Sequence, residues 1–127
     1  MRIAVGAQGF YYLVTGAWPL VSMENFELVT GPKIEHWLVH TVSLLVLGIG
    51  ASLLVAARSA QVGASVCVLA LCVATAFASI DLYYAGIGRI SPVYLLDAAV
   101  ELGFVLWLVI ALARREMTKA VAQPPAR

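Results

Sequence analysis

Four long apolar stretches, separated by short polar connections, set the rhythm of this chain. They cover 3–22, 37–57, 62–80 and 93–113. The first three carry no charged residue. At 1.5 Å of rise per residue each is long enough to cross a hydrocarbon core of about 30 Å. The pattern predicts an all-α membrane protein: four transmembrane helices in an up-down antiparallel bundle forming a single domain over 1–117. A disordered tail is expected over 118–127, ending Gln123-Pro-Pro-Ala-Arg127. Ser91-Pro92 reads as the N-cap and first helical residue of the fourth span.

Polar positions inside the spans are not scattered. In the first span Gln8, Tyr11, Thr15, Trp18 and Ser22 alternate spacings of three and four, so they share one helical face. A polar stripe facing lipid would be wasted. Pro19 in the same span deprives the Thr15 carbonyl of its usual donor and predicts a kink. The second span offers His36, His40 and Ser43 on one face, and the fourth Tyr94, Asp97 and Glu101. Counting up from Arg58 and Arg114 at one interface puts Glu101 about 20 Å, Asp97 about 26 Å and His40 about 27 Å into a slab of about 30 Å. Asp81 and His36 arrive near the far boundary. Three helices thus present polar faces in the outer third of the bundle, and a shared pocket is the economical expectation.

Small residues suggest how the middle helices meet. The turn Arg58-Ser-Ala-Gln61 makes the second and third spans antiparallel neighbours. Gly48, Ser52 and Ala56 on one, with Ala70, Ala74 and Ala78 on the other, form stripes that would let the two backbones approach closely. On this reading the third span is a packing centre, with Asp81 its one ionisable group.

Composition agrees with the membrane reading. Of the 127 residues 62% are hydrophobic and 12% charged, with a mean hydropathy of +0.94. Soluble chains carry about twice that share of charge. The first window is not read as a cleaved signal: its apolar run is too long and three further spans follow. Arg2, Arg58, Arg114, Arg115, Lys119 and Arg127 fall on one side, Lys33 and Arg89 on the other, so both termini are expected in the cytoplasm. The basic end suits anionic lipid heads. No basic face points to nucleic acid, and the lipid bilayer is the expected partner. Trp18, Trp37, Tyr83 and Tyr84 fall near the outer boundary, as an aromatic belt would. Glu24, Glu27 and Glu35 read as a solvated acidic loop over 23–36, in which Thr30-Gly-Pro-Lys33 is a turn and Lys33 pairs with one of the glutamates. Cys67 and Cys72 turn away from one another on a helix and read as packing residues.

The candidate chemistry centres on Asp97 and Glu101, one turn apart and partly desolvated. Two such carboxylates repel when both are charged, an arrangement suited to a proton relay, general acid/base work or a cation site. The alternative is structural: hydrogen bonds to Tyr11, Thr15 or His40 that fix packing. Glu101 is expected to find one of those three as its partner. His36 and His40 with the carboxylates have the donor types of a metal site, but Glu35-His-Trp-Leu-Val-His40 fits no metalloprotease motif. No metal and no cofactor is assigned. Three function classes remain. The first is a binding or accessory protein with a polar outer pocket for an apolar small molecule, with Glu101, Asp97, His40, Trp18, Tyr11, Thr15 and Asp81 as its candidate residues. The second is a membrane enzyme doing acid/base chemistry on an apolar substrate. The third is a proton- or cation-coupled transporter, acting as a homo-oligomer because four short spans enclose little room.

Across nearly its full length the chain resembles a group of small bacterial four-span proteins of hypothetical function. The residues that carry the resemblance are Tyr12-Leu-Val-Thr-Gly-Ala-Trp-Pro19, Val29-Thr-Gly-Pro-Lys33 with Trp37-Leu-Val39, and Tyr94-Leu-Leu-Asp-Ala98. The resemblance implies a four-span fold in a bacterial inner membrane and no activity. The chain does not resemble the small multidrug transporters, whose acidic residue lies in the first span.

Overall fold

The computed structural model describes residues 1–122, and its regular secondary structure over them is all α-helix. The elements are α1 (Arg2–Val21), α2 (Met23–Thr30), α3 (His36–Arg58), α4 (Ala64–Gly86) and α5 (Tyr94–Ala122). Helices α3, α4 and α5 are each long and apolar enough to cross a membrane. Their outer faces carry the exposed leucines, valines and isoleucines that lipid, not water, would solvate.

The long helices pack as two antiparallel pairs, α1 with α3 and α4 with α5. In the first pair Arg2 meets Ala57, Gly9 meets Gly50, and Gly16 meets Ser43 and Leu47. Rising numbers on one helix thus match falling numbers on the other. In the second, Arg115 bonds the Val62 carbonyl at one end and Asp97 lies beside Asp81 at the other. Gly9 and Gly50 mark the closest crossing: a Cβ built on either would sit 2.8 Å from the other's carbonyl oxygen. Close backbone approach of this kind lets dispersion hold helices together where lipid offers no hydrophobic drive.

The expected contact between the second and third spans is therefore corrected. Helices α3 and α4 are joined by a short turn but touch little. Gly48 faces open space and Ser52 is exposed, bonding the Gly48 carbonyl of its own helix. The small positions that count lie instead at Gly9, Gly16 and Gly50. The alanine stripe of α4 is buried as expected, with Ala70 and Ala74 fully covered and Ala78 nearly so. Helix α4 as a whole packs chiefly against α5, and Ala70 also joins the core cluster with Ala4, Val5 and Tyr12 of α1. Cys67 is buried and Cys72 exposed, both as free thiols.

Two further boundaries differ from expectation. The stretch read as a solvated loop contains α2, because Ser22 caps it by accepting from the Asn25 amide at 3.3 Å. Gly31, with φ of 88°, then reverses the chain. Helix α5 continues past Met117 to Ala122, so part of the stretch read as a disordered tail is helical; 123–127 lie outside the described residues. At the head of α5 the Ser91 hydroxyl accepts from the Val93 amide at 3.4 Å, and Ser91, Pro92 and Val93 carbonyls take bonds three residues on. Ser91 thus does serve as a cap, at the mouth of a tight opening turn.

Candidate functional site: a cleft floored by two tyrosine–carboxyl pairs

Glu101 is 1% exposed and faces the interior of the bundle. Its partner is Tyr12, whose hydroxyl donates to Oε2 at 2.9 Å. The direction of that bond follows from its neighbour. Gln8 uses its amide nitrogen as a double donor, to the Tyr12 hydroxyl at 3.0 Å and to the Ala70 carbonyl at 2.9 Å. The Tyr12 oxygen is thereby occupied as an acceptor, and its one proton is left for Glu101. A relay of α4 carbonyl, Gln8, Tyr12 and Glu101 ties α4, α1 and α5 together. The inward orientation of Glu101 and a partner from the first helix agree with expectation, but that partner is Tyr12 and not Tyr11, Thr15 or His40.

Tyr11 serves the other carboxyl: its hydroxyl donates to Asp97 Oδ1. At 100° per residue Tyr12 stands about 40° to one side of Gln8 and Tyr11 about 60° to the other. Adjacent tyrosines can therefore reach two carboxyls one turn apart on the facing helix. Their rings are fixed by aromatic neighbours, Tyr11 against Phe104 at 5.7 Å between centroids and Tyr12 against Phe77 at 5.9 Å. Asp81 of α4 is 4% exposed and stands beside Asp97. Its Oδ2, like Oε1 of Gln8, has no hydrogen-bond partner among the described residues. Buried polar atoms are costly unless bonded, so two orphans within one cluster set it apart from ordinary packing.

Above this floor opens a cavity of about 320 Å³, lined by Tyr11, Tyr12, Asp97 and Glu101 below. Its walls are apolar: Pro19 of α1, Phe26 of α2, Leu38, Val39, Val42 and Val46 of α3, and Phe77 of α4. Thr15 and Ser43 also line it, although the Thr15 hydroxyl bonds back to the Tyr11 carbonyl at 2.9 Å. Lys33 stands at the mouth. Its ammonium donates to the Thr30 carbonyl at 3.0 Å and lies 5.2 Å from the Tyr94 ring centroid and 5.8 Å from that of Phe26.

The α2–α3 connection that carries Lys33 is locked by Glu27. Its carboxylate accepts from the Lys33 backbone amide at 2.7 Å and contacts His36 Nε2 at 2.8 Å. These partners, the amide first, hold the Glu27 carboxyl below the usual carboxylate range. Lys33 thus meets Glu27 through its backbone, while its ammonium is turned to the cavity.

Of the seven candidate residues, the structure brings Glu101, Asp97, Tyr11, Thr15 and Asp81 together. It does not bring His40 or Trp18. His40 is exposed on α3, and Trp18 stacks edge-on against Phe26 at 5.6 Å, away from the cavity lining. The face of α3 that does line the cavity is set by Val39, Val42, Ser43 and Val46, because Gly50 commits that side to α1. His36 is drawn to Glu27, and among the described residues no three His, Cys, Asp or Glu side chains converge as ion ligands. Helix α4 is more than a packing centre, since it supplies Asp81, Phe77 and the Ala70 carbonyl. Sequence reasoning missed Tyr12, Phe77 and Phe104. The available signal was Tyr12 standing four residues after Gln8, on the same face.

No known protein family, curated protein or solved structure matches the chain. The geometry alone carries the functional reading.

Proposed function

We propose that this chain is a four-span protein of the bacterial inner membrane that binds an apolar small molecule in the cleft above Tyr11 and Tyr12. Helix α1 would serve as the fourth span beside α3, α4 and α5. Several features support that reading: α1 is 20 residues long and it packs along most of α3. The end bearing Arg2, Arg58 and Arg115 would face the cytoplasm by the positive-inside rule, leaving the cleft in the outer part of the bundle.

The observation that carries the proposal is the contrast between wall and floor. Leu38, Val39, Val42 and Val46 favour a hydrocarbon body, whereas the Tyr11–Asp97 and Tyr12–Glu101 pairs offer hydrogen-bonding groups to one polar end. Small-molecule sites are built this way, mostly apolar with few convergent polar groups. Ionisable groups held inside a span usually mark function for the same reason: they cost too much to keep otherwise.

The test uses purified protein in vesicles and the fluorescent apolar amine N-phenyl-1-naphthylamine. Saturable binding is expected in wild type, with loss in Val42→Trp, which fills the cleft without touching the carboxyls. Glu101→Gln should fold and bind more weakly, since it keeps the shape but alters the polar contact. Non-saturable partitioning identical in all three proteins would refute the cleft. Turnover of a lipid-like substrate in the same vesicles would instead favour the enzyme reading. Uptake driven by a pH gradient would favour transport.

A further inference from the structure

The opposite end of the bundle holds a second cavity, of about 760 Å³, between the start of α1, the α3–α4 turn and the last turns of α5. Among the described residues Arg2, Arg115 and Lys119 line it, together with Gln61, and no carboxylate side chain does. We propose that it binds a phosphate group, as the headgroup of an anionic lipid or as free phosphate.

Both arginines are positioned by the fold. Arg2 donates from Nε to the Ala57 carbonyl at 2.9 Å, and Arg115 from Nη1 to the Val62 carbonyl at 2.8 Å. Those carbonyls flank the α3–α4 turn, so the two guanidiniums grip it from either side. Each uses one of five N–H donors, and the remaining donors have no protein partner among the described residues. A guanidinium with free donors in a planar fork matches phosphate oxygens bidentately. Lys119 adds a mobile point charge: its bond to Glu116 at 2.7 Å is a surface pair with both side chains more than half exposed. Such a pair is worth little and exchanges readily for an incoming anion. Ile3 on the cavity rim is 77% exposed, an apolar neighbour suited to the chain of a lipid whose phosphate sits inside.

The experiment uses detergent-purified full-length protein and is independent of the outer cleft, so its failure leaves the apolar-ligand reading standing. Short-chain phosphatidylglycerol and phosphatidylcholine are titrated and followed by native mass spectrometry, with inorganic phosphate as competitor. Phosphatidylglycerol should bind at least tenfold more tightly than the zwitterionic lipid. Arg115→Gln and Lys119→Gln should each weaken it about fivefold, the equivalent of about 1 kcal/mol per basic residue near an anionic lipid. Arg114→Gln, outside the cavity, should leave it unchanged. Competition by millimolar phosphate assigns a free phosphate ligand; failure to compete assigns the headgroup. Equal binding of the two lipids overturns the proposal. So does an equal loss in Arg114→Gln and Lys119→Gln, which would mean diffuse attraction without a site. Lys119 is exposed and supports no packing, so its variant decides the matter even if Arg115→Gln fails to fold.

Discussion

Gly9→Ala is the most direct probe of how the two helix pairs are built. The added methyl would lie 2.8 Å from the Gly50 carbonyl oxygen and 3.0 Å from both Leu53 Cβ and the Leu54 nitrogen. Two of those three atoms are backbone, so no side chain can swing aside and α1 must move off α3. Overpacking a tight contact costs about 1–3 kcal/mol, against which alanine recovers at most about 1 kcal/mol of helix propensity. The crossing therefore loses. At about 4 °C per kcal/mol for a domain of this size, a net loss of up to about 2 kcal/mol should lower the thermal midpoint in detergent by up to about 8 °C. Gly48→Ala is the matched control on α3, since its Cβ would meet nothing within 4 Å. It should be neutral or slightly stabilising. Gly50→Ala should resemble Gly9→Ala and also weaken binding in the cleft, because its methyl would press on Tyr12 Cβ at 3.1 Å. Gly9→Ala and Gly48→Ala melting together would refute the α1–α3 crossing and the placement of Tyr12 that depends on it.

Tyr12→Phe keeps the ring against Phe77 but removes a hydroxyl that both accepts from Gln8 and donates to Glu101. Polar contacts between helices in lipid average about 0.6 kcal/mol, and orphaned buried partners raise that towards about 1–2 kcal/mol. Thermal unfolding should show that loss, and Tyr12→Phe/Glu101→Met should lose less than the two single variants combined; strict additivity would mean that the pair is not coupled. At the α2–α3 connection, the Glu27 carboxyl is held below its ordinary range, so its contribution to order is present at neutral pH and fades as pH falls through the lowered value. Limited proteolysis near Gly31–Lys33 should therefore rise in wild type only once the pH falls through that lowered value, and Glu27→Gln should be cut readily at neutral pH; equal cleavage of the two at neutral pH would show that Glu27 does not hold the turn.

What the sequence made legible and what it hid follow from one physical difference. Hydropathy acts residue by residue, so three of the four long apolar helices expected, the Ser91 cap and the inward burial of Glu101 could be read from spacing alone. Pairing acts between helices, and single-chain periodicity says which residues share a face without saying which face meets which. The Gly48 stripe satisfied the small-residue rule and still points outward, because Gly50, two residues on and on nearly the opposite side, meets a glycine on α1 and Gly48 does not. That same choice rotates α3 so that His40 is exposed while Ser43 and Val46 are buried. It also settles the contest between the adjacent tyrosines. With Gly9 and Gly16 against α3, the Tyr12 hydroxyl is directed between α4 and α5 to Glu101, and Tyr11 is left on the flank nearer Asp97. The inward face of the carboxyl cluster was thus legible in helical spacing, but the identity of each donor was fixed by where a missing Cβ let two backbones touch.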